Sequence, residues 1–307
     1  MKSVSIQEII YLWKDEKKKY VKSSTFATYV VLIEKHILPA FGDKNSFREI
    51  DVQNFVFQKL QQNMAHKTIK DILMILKMIM KFGVKHGYFT YQEFDIRFPT
   101  IREKKELDVF SIEDQKKILI YTKSHFNFQN LGIYICLCSG MRIGEVCALT
   151  WNDIDIENET IHIRKTLQRI YVFDGNKKRT KLVLDTPKTK NSIRDIPIIP
   201  DLLKVLKPIK KIVQGDYFLL SNDSLPIEPR VYRNYYKNLL NKLGISFIKF
   251  HALRHSFATR CVESKCDYKT ISVILGHSSI NTTMNLYVHP NMEQKKRCIQ
   301  QMARLLK

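Results

Sequence analysis

The sequence predicts a mostly helical protein of α+β class, built as two domains with a small antiparallel sheet set inside the second. Three observations predict it. The chain has 307 residues, too many for one small module and about right for two domains of ordinary size. Its first hundred residues carry four successive stretches of apolar residues at helical spacing. Beyond Thr150 that pattern gives way to β-branched runs, and it returns near Pro200.

The elements follow in order. Ile6, Ile9, Ile10 and Trp13 have the i, i+3, i+4, i+7 spacing of one helix face. Phe26, Tyr29, Val30, Ile33 and Ile37 repeat it after a Ser-Ser-Thr start, and Gly42 ends that helix. Asp51 is placed as the N-cap of a third helix bearing Val52, Phe55, Val56 and Leu60. A fourth carries Ile69, Ile72, Leu73, Leu76 and Met80 and is expected to stop near Gly83. Four amphipathic helices with short turns make a bundle, assigned to residues 1–98. The segment Phe94 to Asp108, FDIRFPTIREKKELD, contains a proline and a charge run and loses the helical period. The linker is placed at 99–107 and the second domain at 108–307. That domain opens with helices, then holds two strand-like runs, Thr160 to Phe173 and Lys181 to Ile198, with a turn signal at Asp174-Gly175-Asn176. Helices resume and continue to the end.

Composition narrows the function. Hydrophobic residues are 44% of the chain and charged residues 26%, enough apolar material for two cores, which excludes disordered and fibrous classes. Fifty-one basic residues against 30 acidic give a net charge of +21. Such a balance favours a polyanionic partner, most often nucleic acid. Residues 1–100 carry +6 of it and residues 101–307 carry +15, which suits a protein that grips its partner from two sides. No apolar run approaches the roughly 18 residues that span a bilayer, and no signal peptide is expected at the N-terminus. The spacing of Cys136, Cys138, Cys147, Cys261, Cys266 and Cys298 fits neither a zinc site nor a disulfide framework. They are read as reduced thiols, which fits the cytoplasm.

Four polar clusters stand out. Arg142, in Ser139-Gly140-Met141-Arg142-Ile143-Gly144-Glu145, follows an apolar helix and a glycine turn. There it is either held by Glu145 and aimed at a bound anion, or an ordinary exposed arginine with a local ion pair. His251 and Arg254 share a helix face, and a histidine with an arginine suits a phosphate better than a metal. The plainer reading is a capping histidine beside a surface arginine. Leu275-Gly276-His277-Ser278-Ser279 marks a helix stop, and Tyr287 follows ten residues after His277. A lone tyrosine is more often a half-buried packing residue. Thr186-Pro187-Lys188-Thr189-Lys190-Asn191-Ser192 ends a stretch, Arg164 to Arg194, with ten basic and two acidic residues. Such a hairpin repels itself unless an anion is present.

Taken together and in this order, Arg…Lys…His-x-x-Arg…His…Tyr resembles the tyrosine recombinase, or phage integrase, family. The strings SGMRIGEVCALTW, TPKTKNSIRDIPI, HALRHSFAT and LGHSSINTTMNLYVH fall in family order and spacing, and the resemblance spans the chain. It implies a helical core-binding (SAM-like) domain, a linker and a catalytic domain. The long basic excursion from Lys165 to Leu184 and the TPKT string look like integrases of phages and integrative conjugative elements rather than chromosome-dimer resolvases. Nothing resembles the arm-binding domain many such integrases carry, so either a simple integrase or a trimmed one is expected.

The resemblance supplies roles that the residue chemistry supports. Tyr287 is implied as the nucleophile, forming a 3′-phosphotyrosyl intermediate that keeps the bond energy, so ATP is not needed. Arg142, Arg254 and His277 are the donors to the phosphate oxygens. Lys188 is the general acid for the leaving 5′ oxygen. His251 hydrogen-bonds the phosphate or helps take the tyrosine proton, and Glu145 orients the first arginine. No cofactor and no metal is implied. Lys190, Arg194, Arg230 and Arg233 are assigned to DNA contact, the last two on a basic helix that otherwise reads as a surface helix packed through Leu239 and Leu240. Expected partners are double-stranded DNA, three further copies of the chain on DNA (a monomer when free), and accessory DNA-bending or directionality factors. The tail from Met292 to Leu306, with Met302, Leu305 and Leu306 on a basic helix, packs on a neighbouring protomer or on its own domain. A bacterial cytoplasmic location, at the nucleoid when DNA-bound, goes with this. The rival classes are a type IB topoisomerase, which nicks and reseals one duplex, and a DNA-binding regulator without chemistry.

Overall fold

The structure, a computed structural model, describes residues 4–46, 48–88, 90, 93–99, 107–174, 177–187, 189–287 and 292–305. Most of the expected linker, the Gly175-Asn176 turn and Lys188 lie outside these residues. The chain divides into two compact units, Met1–Lys104 with Ile170–Lys181, and Lys105–Arg169 with Leu182–Lys307.

The first unit is a helical bundle. Helix α1 (Ile6–Lys17) starts at a capping box, in which Ser5 Oγ accepts from the Glu8 amide and Glu8 accepts from the Ser5 amide. Helix α2 (Ser23–Leu32) does not run straight to Gly42. It widens into a π turn over Ile33–Ile37 and resumes as α3 (Leu38–Phe41). Pro39 explains the widening, because it lacks an N–H and its ring crowds the carbonyl one turn back. Helix α4 (Glu49–Gln61) begins earlier than expected. Arg48 is the cap, and Asp51 lies inside the first turn, where its carboxylate accepts from the Arg48 amide at 2.8 Å. Helix α5 (His66–Lys85) carries on through Gly83, which is buried. Its apolar face supplies Ile72, Ile75, Leu76 and Ile79 to a core shared with Ile6, Ile9, Ile10, Trp13, Ile33, Ile37, Phe41, Val52 and Phe55.

In the second unit, α6 (Ile112–Ser124) and α7 (Phe128–Ser139) are capped by Ser111 and Asn127. A one-turn helix, α8 (Ile143–Val146), leads to a three-stranded antiparallel sheet of β1 (Ile154–Asp155), β2 (Thr160–Ile163) and β5 (Arg194–Pro197), in the order β1-β2-β5. A separate hairpin, of which Ile170–Lys181 is grouped with the first unit, pairs β3 (Thr166–Asp174) with β4 (Lys177–Asp185). Each strand-like run of the sequence is thus broken in two, because the chain changes pairing partner at Arg164-Lys165 and again across 186–193. Where β3 starts, Arg169 clamps the Glu228 carboxylate with Nε at 2.6 Å and Nη2 at 2.8 Å. Helices α9 (Pro200–Lys210), α10 (Pro229–Lys242), α11 (His251–Glu263), α12 (Tyr268–Leu275), α13 (Ile280–Tyr287) and α14 (Met292–Leu305) complete the unit. Trp151, Tyr134, Tyr232 and Tyr236 are the largest apolar side chains of its main core. A smaller cluster joins Ala258, Ile271, Leu275 and Tyr287. The five described cysteines are free, and burial pushes the Cys136 and Cys147 thiols up, which leaves them inert. Among the described residues no helix is long and apolar enough to cross a membrane.

Candidate active site

Two of the helices that border the site end at left-handed glycines. Gly140 closes α7 at φ +64°, and Gly276 closes α12 at φ +65°. A Cβ on Gly140 would lie 2.7 Å from Phe257 and 2.8 Å from Leu275, so glycine lets α7 end against α11 and α12. A Cβ on Gly276 would lie 2.9 Å from the Asn191 carbonyl and 3.1 Å from Arg194. The alternative residues would be strained in both backbone and packing.

Arg142 is the N-cap of α8. Its Nη1 donates to Glu145 Oε1 at 2.8 Å and its Nη2 to the Gly276 carbonyl at 3.2 Å. Arg254, on α11, is 2% exposed and donates from Nη1 to the Gly140 carbonyl and from Nη2 to the Leu275 carbonyl, at 3.0 and 2.7 Å. Burial, then the neighbouring Arg142, lowers its pKa to about 9, so it stays a cation at neutral pH. His277 follows Gly276 and bonds through Nδ1 to Thr283 Oγ1 at 2.8 Å. Its ring lies parallel to that of Tyr287, with centroids 6.5 Å apart. Burial, then Arg254, Arg142 and Arg194, holds His277 at about 4. His251 presents an exposed edge, but desolvation by its packed surroundings and the charges of His255, Arg254 and Arg142 hold it at about 4 as well. Both histidines are neutral at pH 7.

Tyr287 ends α13 and is 7% exposed. Burial pushes its hydroxyl above the usual phenol value, while Arg254 and Arg142 pull it back. The structure therefore brings Arg142, Glu145, His251, Arg254, His277 and Tyr287 together, from three helices and one turn. Lys188 lies outside the described residues. Its neighbour Asn191 sits in the short 3-10 turn Lys190–Ser192 and reaches toward the His277 and Ser278 carbonyls.

Two residues depart from the sequence reading. Arg194 was expected to contact DNA, yet it is 6% exposed. Nη1 and Nη2 donate to Glu145 Oε1 and Oε2 at 3.0 and 2.9 Å, and Nε donates to the Ile274 carbonyl. The signal was present in the strand period: Arg194 stands two residues before the buried Ile196 and so points to the same inner face. The second is His255, which has no role in the sequence reading. Its Nδ1 lies 2.7 Å from the Tyr287 hydroxyl. Lys190, Arg230 and Arg233 are exposed, the last two on the outer face of α10, whose inner face buries Tyr232, Tyr236, Leu239 and Leu240.

Glu145 is the centre of this arrangement. Burial alone would raise its carboxyl, but the hydrogen bonds and charge of Arg194, with Arg142 beside it, hold it at about 2. Its ordinary value is 4.5, so the stability it contributes is present above that pH and is lost as pH falls through about 2. Arg194→Met should cost about 3 kcal/mol at pH 7, because it removes one partner of a buried pair. The same change should flatten the acid limb of stability between the two values. Urea unfolding at several pH values checks both; an unaltered midpoint at pH 7 would return Arg194 to the surface.

Comparison with known proteins fits this geometry. Residues 109–294 match the model of the phage integrase family, and residues 5–60 match the phage integrase N-terminal SAM-like domain. The chain belongs to the phage integrase family. This integrase is 31% identical over 326 residues to a tyrosine recombinase XerC-like protein of Caldanaerobacter subterraneus, a match that covers 97% of the chain and 82% of the relative. It is 25% identical to the ICEBs1 integrase of Bacillus subtilis, across 96% of the chain and 82% of that protein. The integrase shares its fold with the Tn1549 transposon integrase solved with transposon right-end DNA, at a TM-score of 0.78 and 21% identity over 98% of this chain and 100% of that one. A lambda integrase tetramer bound to a Holliday junction aligns at 0.66 and 18%, over 95% and 80%. The integrase is a tyrosine-type enzyme of DNA strand breaking and rejoining.

Proposed function

We propose that this recombinase inserts and excises a mobile element by cutting and rejoining DNA through Tyr287. The observation that carries the reading is a buried tyrosine hydroxyl set among two arginines and two neutral histidines at converging helix ends. In the proposed step the Tyr287 oxygen attacks a phosphodiester, the bond to the 5′ oxygen breaks, and Lys188 protonates that oxygen. Arg142 and Arg254 offer cationic forks to the non-bridging oxygens, where transition-state charge develops, and His277 and His251 offer neutral N–H groups. Glu145 positions Arg142 through their shared contact. A 5′-hydroxyl from a second duplex reverses the attack and exchanges the strands. Residues 1–98 and 108–307 are proposed as the core-binding and catalytic domains that hold the duplex, with Lys190, Arg230 and Arg233 among the contacts to its backbone or grooves. The test is a nicked duplex whose short 5′ fragment diffuses away after cleavage. Covalent trapping, with the adduct mapped to the Tyr287 peptide, separates a DNA-cleaving enzyme from a silent binder.

Strand exchange between two duplexes takes four protomers, and the lambda integrase of this fold is a tetramer on its junction. We place this chain as a monomer in free solution, where +21 of like charge opposes association, and as a tetramer once DNA neutralises that charge. Helix α14 supports docking in trans, because Met292, Ile299 and Met302 stand exposed on it. Deleting residues 292–307 should leave site binding and single-site cleavage intact while abolishing synapsis. Light scattering on DNA complexes and a two-site recombination assay read this out. Recombination at the normal rate by the shortened chain would assign the tail to its own domain.

A further inference from the structure

We propose that His255, rather than His251, receives the Tyr287 proton during strand cleavage. The proposal rests on Tyr287 being the nucleophile and adds the group that activates it. Its ground is geometric. His255 Nδ1 is 2.7 Å from the Tyr287 hydroxyl, within reach for direct transfer. The ring of His251 stands one turn back on α11, edge-on to His255 with centroids 4.6 Å apart. The charges that act on it are those of His255, Arg254 and Arg142, with Glu145 opposing. The two histidines thus divide the labour: His251 toward the phosphate, His255 toward the phenol.

The surroundings of His255 suit an acceptor. Around it are Arg254 and His251 on its own helix, Asp108 on the segment before α6, and Tyr287 on α13. Burial, then Arg254, lowers its pKa below 6.5, with Asp108 opposing. The ring is therefore neutral at pH 7. With its own proton on Nε2, it accepts from the hydroxyl at Nδ1. Tyr287 needs such a partner, because burial keeps the phenol protonated. In the step, the Tyr287 oxygen–phosphorus bond forms and the phosphorus–O5′ bond breaks. The phenol proton passes to Nδ1, and the leaving oxygen takes a separate proton from Lys188. On resealing, the incoming 5′-hydroxyl returns its proton to Lys188, and the imidazolium returns the other to the tyrosine. No proton is created or lost over the cycle.

The experiment compares His255→Asn with His251→Asn. Its probe is nicked duplexes recovered from a random-sequence library by covalent trapping on the wild-type protein. Asparagine keeps a hydrogen-bonding group near the hydroxyl and removes the basicity; His255→Gln serves if His255→Asn does not retain DNA on native gels. His255→Asn should cleave about 100-fold more slowly at pH 7, the lower end of what a general base contributes. Its rate should climb with pH as the phenol ionises unaided. It should also recover when 3,5-difluorotyrosine, a more acidic phenol, replaces Tyr287. His251→Asn should show neither recovery. A His255→Asn rate close to wild type, or a loss that neither pH nor the acidic phenol restores, overturns the proposal and leaves His255 a packing contact. A wild-type adduct mapped to a residue other than Tyr287 overturns the nucleophile and this proposal together.

Discussion

Tyr287→Phe should bind the DNA that the wild-type protein binds and form no covalent adduct with it. The loss is expected to be total, because the variant lacks the oxygen that makes the bond to phosphorus. Folding should survive. The ring belongs to the small cluster with Ala258, Ile271 and Leu275, and phenylalanine keeps that packing. What disappears is the hydrogen bond to His255, worth about 1 kcal/mol net. Arg142 and Arg254 are held by Glu145 and by main-chain carbonyls, not by the tyrosine, so the phosphate donors keep their places. Denaturing gels read the adduct and native gels read the binding. A covalent band persisting in the variant sinks the assignment of the nucleophile.

Lys188→Ala should slow cleavage of ordinary DNA by roughly 10²–10⁴-fold, the range a general acid supplies. A duplex with sulfur in place of the bridging 5′ oxygen has a leaving group that needs no proton, and the variant should cut it at a nearly normal rate. Lys190→Ala is the matched control. Lys190 is exposed at the start of its short turn, while the next residue, Asn191, faces the carbonyls of the His277 loop. Rescue of Lys190→Ala by the sulfur substrate, without rescue of Lys188→Ala, would exchange the roles of the two lysines.

The helices of the first unit were legible because burying one face of a helix imposes a spacing that the sequence repeats. Ile6, Ile9, Ile10 and Trp13 show that spacing and are all buried. The π turn was not legible from apolar spacing, because Ile33 and Ile37 fit a straight helix equally well; only Pro39 marked it. The broken strands were hidden for another reason. Composition reports that a segment suits a sheet, but not which strand it pairs with, and pairing changes at Arg164-Lys165. In the site, order along the chain suggested Arg142, Arg254, His277 and Tyr287, because the family motifs are local strings. Contacts between strings were out of reach. His255 and Tyr287 are 32 residues apart, and Arg194 and Glu145 are 49 apart. A basic hairpin made Arg194 read as a surface residue, whereas the strand period had already turned it inward.

The manner in which Arg254 is held has an electrostatic consequence. Its described hydrogen bonds go to two peptide oxygens at the ends of α7 and α12, where helix dipoles leave partial negative charge. A carboxylate would hold the group as firmly, but it would also cancel it. Peptide dipoles orient a cation without neutralising it, and their field fades with distance faster than that of a full charge. An approaching phosphate therefore meets a guanidinium that its direct partners have oriented without neutralising. On this view the two left-handed glycines do more than stop helices. By exposing carbonyls where an acidic side chain would otherwise be needed, they let the site stay positive and ordered while it is empty.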